Sequence, residues 1–356
     1  GWTESLHELA PEDPVAVPAP RLGRPQVVDV EPEISIPADE QVRHVDETRV
    51  TVGRHAHDLV LAVVHLEAQV VGDRSVEEAQ GVGALDLAHG LDAVAPGRAE
   101  QDPDTWWQAV ISTTRQVVAD AGRSDVTAIG LSGQMHGTVL LDQDSRPVHP
   151  AIIWADQRSI AECRLLSATL GEQEYANITG TLPAVGFLGS TLLWLARNAP
   201  ELLERTRNVV LPKDYLRLKM TGHIATDISD AAGTGIFNIR QADWAWDILS
   251  WLQIPLEILP SVLSSTTVAG ELRADAADEL GLMSGIPVVA GCADQPAQAI
   301  GNGLTAPGIA SVTIGSGGQV FTPVKENLQP DLRLHVFNHA VPAMWYILGA
   351  MLSACL

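Results

Sequence analysis

The chain has 356 residues, enough for about two domains with sizeable cores. Its 44 acidic against 22 basic side chains leave a net charge of −22. Such a surface repels phosphate backbones and excludes nucleic acid as an expected partner, while a local site can still take a small phosphorylated ligand. No apolar run reaches the ~18 residues of a membrane span, so no membrane partner is expected. Cys163, Cys292 and Cys355 are widely spaced and form neither a disulfide framework nor a zinc pattern, which fits a reducing, cytoplasmic setting. The first residue is Gly and the last stretch is the apolar MLSACL, so both ends read as cut.

Residues 1–95 give no clear pattern of elements. PEDPVAVPAPRLGRP reads as loop or linker, and residues 58–72 as strands or a short helix. From residue 96 the signals sharpen. Asp102-Pro103-Asp104 starts a helix that Gly122 stops, with an apolar stripe of Trp107, Val110, Ile111, Thr114, Val117 and Val118. VTAIGLSG, TVLLD and AIIWADQRS read as strands, and residues 159–170 as a helix. LGSTLLWLARNAPELLERT is a helix and its continuation. NVVLPKDYLRLKMTG is strand, turn and helix, with Lys213-Asp214 expected as a surface pair at the helix start. TDISDAAGTGIFNI reads as a small-residue loop running into a strand, and residues 244–252 as helical. IPVVAGCADQ and PGIASVTIGSGGQVFTPV each read as a strand leading into glycines. Strands alternating with helices predict an α/β fold.

Four stretches share one design, an apolar strand followed by small residues and then a polar side chain: GLSGQMHG, IIWADQRS, VVAGCADQ and VTIGSGGQ. The carboxyl ends of strands are where open α/β sheets hold ligands, so four such ends predict a shared cleft. In QMHG, Gln134 and His136 can hydrogen-bond sugar hydroxyls and Met135 can pack on an apolar sugar face; the alternative is a turn with a satisfied histidine. Trp154, Asp156 and Arg158 share the next stretch. Arg158 suits a polyhydroxylated or anionic substrate, and the alternative is a structural Asp156–Arg158 ion pair. Gly315, Ser316, Gly317 and Gly318 can form an anion nest of backbone N–H groups, or a glycine-rich hairpin turn. Asp294 is the candidate general base, or an aspartate capping a helix ahead of Pro296. His55, His57 with Asp58, and His335 with His339 show no complete ligand set, so no metal site is assigned to protein side chains.

In this order, GLSGQMHGTVLLD, PAIIWADQRS, LPKDYLRLKMTG, TDISDAAGT, GCADQPAQAIGNG and SVTIGSGGQVFTP resemble the FGGY carbohydrate kinases, and most of all the xylulokinase branch. The resemblance covers roughly residues 96 to 356. It implies two actin-like (ribonuclease H-like) domains: a sugar-binding domain over 96–303 and the truncated start of an ATP-binding domain over 304–356, after an atypical segment 1–95. It further implies transfer of a phosphoryl group from ATP, with Mg2+, to D-xylulose or another polyol or ketose. Asp294 would be the catalytic base, with Gln134, Met135, His136, Trp154, Asp156, Arg158 and Gln295 around the sugar. Gly315 to Gly318 would be a phosphate loop. The expected partners are the sugar and ATP, and a homodimer is left open. The chain departs from the family pattern at several points. No D-x-G-T-type phosphate turn stands in residues 1–95, for which a misread frame upstream of Pro96 is one expectation. No G-G-G-A-type adenosine loop is present, so a sugar-binding fragment without activity is the alternative. Ser316 stands where the family's loop usually has Thr, and Gly-Cys-Ala-Asp where it often has Gly-Gly-Gly-Asp.

Overall fold

The computed structural model describes residues 97–122, 125–314, 318–325 and 329–351, and the backbone of 53–55 and 58–63. Two antiparallel strands come first, β1 (Gly53–His55) and β2 (Asp58–Val63). β3 (Glu100–Gln101) leads into α1 (Pro103–Ala121), whose ends are set by local chemistry. The Asp102 carboxylate accepts the Asp104 N–H, Pro103 occupies the first turn, and Gly122 closes the helix in the left-handed region. Of the expected stripe, Trp107, Val110 and Thr114 are buried, while Ile111, Val117 and Val118 are half-buried.

Next come β4 (Val126–Gly133), β5 (Val139–Leu141) and β6 (Ala151–Ile152). β6 is shorter than the sequence implied, because Asp156 N–H bonds back to Ile153 O and turns the chain. Four helices follow: α2 (Ile160–Leu170), α3 (Glu172–Thr179), α4 (Leu188–Asn198) and α5 (Pro200–Arg205). β7 (Asn208–Val210), α6 (Pro212–Thr221) and β8 (Ala225–Asp227) precede a short helix, α7 (Ile228–Ala232). α7 replaces the expected loop. Asp227 caps it by accepting the Ser229 N–H at 2.9 Å, and its small residues Ser229, Ala231 and Ala232 allow complete burial.

β9 (Phe237–Asn238), β10 (Asp243–Trp244), α8 (Trp246–Leu252), β11 (Ser261–Leu263), β12 (Val268–Glu271) and α9 (Ala274–Leu280) continue the chain. β13 (Pro287–Val289), β14 (Cys292–Ala293) and α10 (Asp294–Gly301) follow. A four-stranded unit closes the described part: β15 (Ser311–Ile314), β16 (Gly318–Val324), β17 (His335–Asn338) and β18 (Trp345–Met351).

The main sheet runs β1-β2-β4-β13-β12, and β14 also pairs with β4. β2, β13 and β14 lie parallel to β4, as crossover helices require, while β12 is antiparallel to β13. One core packs α1, α6 and α9 on this sheet through Trp106, Val110, Ile129, Leu216, Leu280 and Val288. A second gathers α4, α7 and α8, and it continues into Phe321, Phe337, Tyr346 and Leu348 of the antiparallel sheet β15-β16-β18-β17.

α3 meets the antiparallel sheet at Gly180. This residue ends α3 at φ 74°, and its carbonyl accepts the Val336 N–H at 2.8 Å. A Cβ there would lie 1.8 Å from Val336 O. Gly180→Ala is therefore expected to cost more than about 1 kcal/mol, through both the left-handed backbone and the clash. A urea unfolding midpoint equal to that of the parent chain would contradict this joint.

Candidate active site

β4 and β14 are neighbouring parallel strands, with Cys292 opposite Ser132 and Ala293 opposite Gly133. The next residue on each strand is Gln134 and Asp294, so the register brings QMHG and CADQ together at the carboxyl ends of one sheet. Gly291 makes the approach possible. It sits at φ 80°, and a Cβ there would lie 2.3 Å from Leu131 O. Asp294 is the first residue of α10, half-buried, and its Oδ1 accepts the Gln295 N–H at 2.7 Å. Gln295 is half-buried beside it.

Gln134 is buried, and its Nε2 donates to Gln101 Oε1 at 3.1 Å, the same oxygen that accepts the Trp106 indole N–H. Met135 is buried next to it. His136 adopts φ 72° and stacks on Phe187, the rings 3.8 Å apart and 10° from parallel. Its Nδ1 lies 2.5 Å from Gly233 O. A carbonyl only accepts, so Nδ1 carries the hydrogen and the neutral ring offers Nε2 as an acceptor. Burial lowers the imidazole pKa to about 4, against the opposing pull of Gly233 O, with His335 adding to the fall. His136 is therefore uncharged at neutral pH. Gly233 caps α7 and leaves no room for a side chain, since a Cβ would meet Met135 Cε at 2.6 Å and the His136 ring at 3.2 Å.

Trp154 borders this region. Its carbonyl would meet a Cβ on Gly186 at 2.1 Å, and Gly186 precedes the Phe187 that stacks on His136. The Trp154 residue is 38% exposed. Asp156 and Arg158 are engaged with each other. Arg158 Nε and Nη2 donate to the two Asp156 oxygens, each at 2.8 Å, and the guanidinium also pairs with Glu100. Ala99 N–H donates to Asp156 Oδ2 at 2.7 Å, and Arg158 lies over the Trp194 ring at 5.1 Å. This is the geometry of a buried structural pair. Gly318 opens β16, opposite Ile314 of β15. Gly315, Ser316 and Gly317 lie outside the described residues.

The largest departure from the sequence reading lies directly behind Asp294. Lys213 and Asp214 are fully buried rather than a surface pair. Lys213 Nζ stands 2.6 Å from Asp214 Oδ1, 3.1 Å from Asp227 Oδ1 and 3.5 Å from Asp230 Oδ2. Arg217, also fully buried, donates to Asp214 Oδ1 at 2.9 Å. Both cations reach the Ala290 carbonyl, at 3.4 Å and 2.9 Å. Ser229 and Ser265 hydroxyls donate to Asp227 Oδ2 at 2.6 Å and 2.7 Å, and Ala293 N–H donates to Ser229 Oγ at 3.1 Å. The cluster thus grips the segment that delivers Asp294. Burial works against the Lys213 charge, but the neighbouring carboxylates, Asp214 first and then Asp227, outweigh it and hold the ammonium protonated above the ordinary lysine range. A sequence signal existed: Lys213 and Arg217 stand one helical turn apart, flanked by Tyr215, Leu216 and Leu218, with little polar surface to share.

Residues 75–301 match the N-terminal domain model of the FGGY family of carbohydrate kinases. The xylulose kinase of Escherichia coli K12 is 39% identical over 257 residues, covering 72% of this chain and 52% of that protein. A xylulose kinase of Lactococcus lactis is 36% identical, covering 74% of this chain and 53% of that protein. Among solved structures, a xyloylose kinase from Brucella ovis superposes with a TM-score of 0.69 at 37% identity, over 73% of this chain and 54% of that one. A xylulose kinase from Rhodospirillum rubrum gives 0.71 at 27% identity, over 74% and 55%. The chain belongs to the FGGY family of carbohydrate kinases, and its fold is the α/β, actin-like (ribonuclease H-like) fold of these two-domain sugar kinases. It spans about half the length of the curated relatives it matches.

Two outcomes follow from these contacts. Lys213→Met leaves Asp214 and Asp227 buried without their main counter-charge, and it should cost about 3–5 kcal/mol in a denaturant titration. A loss below 1 kcal/mol, on the same scale, would show the cluster to be well solvated. For His136, the folded pKa of about 4 lies below the ordinary histidine value of 6.5. The unfolded chain therefore binds the proton more readily, so the stability contributed by neutral His136 is present above 6.5 and drains as pH falls towards 4. Melting curves across that window should show a slope that His136→Gln removes.

Proposed function

We propose that the chain carries the sugar site and catalytic base of an ATP-dependent kinase of the xylulokinase type, which converts D-xylulose to D-xylulose 5-phosphate with release of ADP. The observation that carries this reading is the register of β4 and β14, which sets the Asp294 carboxylate beside QMHG in a member of a carbohydrate kinase family. The curated relatives named xylulose kinases direct the choice of sugar.

In this reading the sugar lies between Asp294 and the His136 loop. Asp294 accepts the proton of one hydroxyl as that oxygen attacks the γ-phosphorus in line, and the bond from phosphorus to the ADP oxygen breaks. His136 Nε2 accepts a hydrogen bond from a second hydroxyl. Met135 supplies an apolar floor, Trp154 a wall, and Gln134 and Gln295 flank the pocket. The Asp156–Arg158 pair braces that wall from behind. The glycines from Gly315 to Gly318 receive the transferring phosphates on backbone N–H groups, with the Ser316 hydroxyl beside them. Among the described residues no cluster of three or more His, Cys, Asp or Glu is placed to hold a metal ion. Mg2+ fits best as part of the ATP complex, held largely by phosphate oxygens and water, where it neutralises charge on the phosphates. Residues 96–303 act as the sugar-binding domain and 304–356 as the start of the ATP-binding domain. The two described cysteines are free thiols, which suits a cytoplasmic enzyme, and no described helix is long and apolar enough to cross a membrane. Because the chain spans about half of its relatives, a sugar-binding fragment without turnover is the second reading.

Coupled ADP release with D-xylulose tests the proposal. Asp294→Asn should lower turnover by about 10²–10⁴-fold while the sugar dissociation constant changes little, because a general base acts on the transferred proton. Sugar binding without turnover in the parent chain would favour the fragment, and neither binding nor turnover would refute both readings.

A further inference from the structure

Asp230 differs from every other charged group behind Asp294. It lies in α7 and is 0% exposed. Neither of its oxygens meets a hydrogen-bond donor among the described residues. Asp227, by contrast, receives two serine hydroxyls and the Ser229 N–H on Oδ2. Among the described residues, the cation paired with Asp230 is Lys213, which stands 3.5 Å away and is closer to Asp214 and Asp227. The charges settle the rest. Lys213 and Arg217 balance Asp214 and Asp227, so an ionised Asp230 would be an unpaired anion in a dry interior. Asp294 in front of it adds a further like charge.

We propose that Asp230 is a positioning residue held as the neutral carboxylic acid at physiological pH, and that its neutrality leaves Asp294 free to stand ionised as the base. Among the described residues, the groups around it oppose ionisation on balance. Burial, followed by Asp214, Asp227 and Asp294, drives Asp230 well above the usual carboxylate range against the pull of Lys213. Cys292 on β14 is pushed up to about 12, chiefly by burial, and Tyr346 on β18 is raised in the same way, so both are neutral neighbours. His335 on β17 lies within hydrogen-bond distance of Thr181 Oγ1, at 2.8 Å, and burial lowers its pKa, which disfavours its charged form. Two carboxyl groups close together do not both ionise readily, and the one with hydrogen-bond donors wins. Asp294 has the Gln295 N–H and a half-exposed position, while Asp230 has neither.

The role given to Asp294 rests on the kinase reading, whereas the protonation of Asp230 does not. The sign of the linkage is definite. The unfolded chain ionises Asp230 near an ordinary aspartate value of about 3.9, and the folded chain keeps its proton, so stability falls as pH rises between the two values. With one proton involved, the folding constant of the parent chain should fall about tenfold per pH unit relative to Asp230→Asn, between about pH 5 and pH 7. Carbon-13 carboxyl resonances of the parent chain should show Asp230 protonated across that range and Asp294 ionised, with no variant needed beyond assignment. The acidic limb of the kcat profile should keep its midpoint in Asp230→Asn. A pH-independent stability ratio, an ionised Asp230 resonance, or an acidic limb displaced downwards in Asp230→Asn would each overturn the proposal. If the parent chain turns over no ATP, the kinase reading fails, and the stability ratio and the resonances still decide the state of Asp230. If Asp230→Asn does not fold, the resonances of the parent chain decide it alone.

Discussion

An ammonium group stripped of water sets the terms for the centre of this molecule. Lys213 is wholly buried, and isolated burial of that charge would be prohibitive. Carboxyl groups from three elements meet it: the Asp214 carboxylate beside it on α6, the Asp227 carboxylate at the end of β8 and the carboxyl group of Asp230 on α7. These contacts fix where α6, β8 and α7 sit relative to the main sheet. Through the Ala290 carbonyl and the Ser229 hydroxyl, they also fix the short segment that ends in Asp294. A buried ion cluster is a poor source of net stability, because desolvation offsets most of its attraction. Its value here is geometric. The Asp294 carboxylate is carried on a corner whose backbone has few other positions to take.

α7 links that corner to the imidazole. Its Asp230 faces the charge cluster, and its capping Gly233 lies against Met135 and His136, with the Gly233 carbonyl choosing the His136 tautomer. From His136 a run of rings leads outward. Phe187 stacks on it, and His335 of the second sheet lies 6.4 Å beyond. His335 in turn stacks on Phe337, which meets Tyr346 edge-on at 5.8 Å. The start of the second sheet is therefore packed against the same residues that border the proposed sugar position. A displacement of one would be felt by the other, as expected for densely packed interiors.

What could be read from the sequence was local. The ends of α1 follow from Asp102, Pro103 and Gly122, residues that act within one turn of themselves. Asp294 at the end of an apolar run was equally visible, but its alternative as a capping aspartate does not hold, because Ala293 takes the cap position with no side-chain cap bond and Asp294 is the first residue of α10. The pairing of Asp156 with Arg158 was legible as two groups on one short stretch, but not the addition of Glu100. Lys213 was misjudged because a Pro-Lys-Asp start looks like an exposed first turn. Asp214 stands beside it on α6, but Asp227 comes from β8 and Asp230 from α7, and no local pattern announces them. α7 was hidden for a related reason: a run of small residues and glycines favours a loop when isolated, and only the Asp227 cap and complete burial make it helical. The pairing of β14 with β4, which makes the site, is a register between distant strands and has no signature in either one.

The central claim is that Asp294 and His136 face one sugar from adjacent strand ends. A crystal structure of the chain with D-xylulose tests it most directly. The expected result is a sugar hydroxyl about 2.6–3.2 Å from an Asp294 oxygen, with a second hydroxyl donating to His136 Nε2. Sugar density seated away from both residues, or an Asp294 carboxylate turned from the sugar, would contradict it.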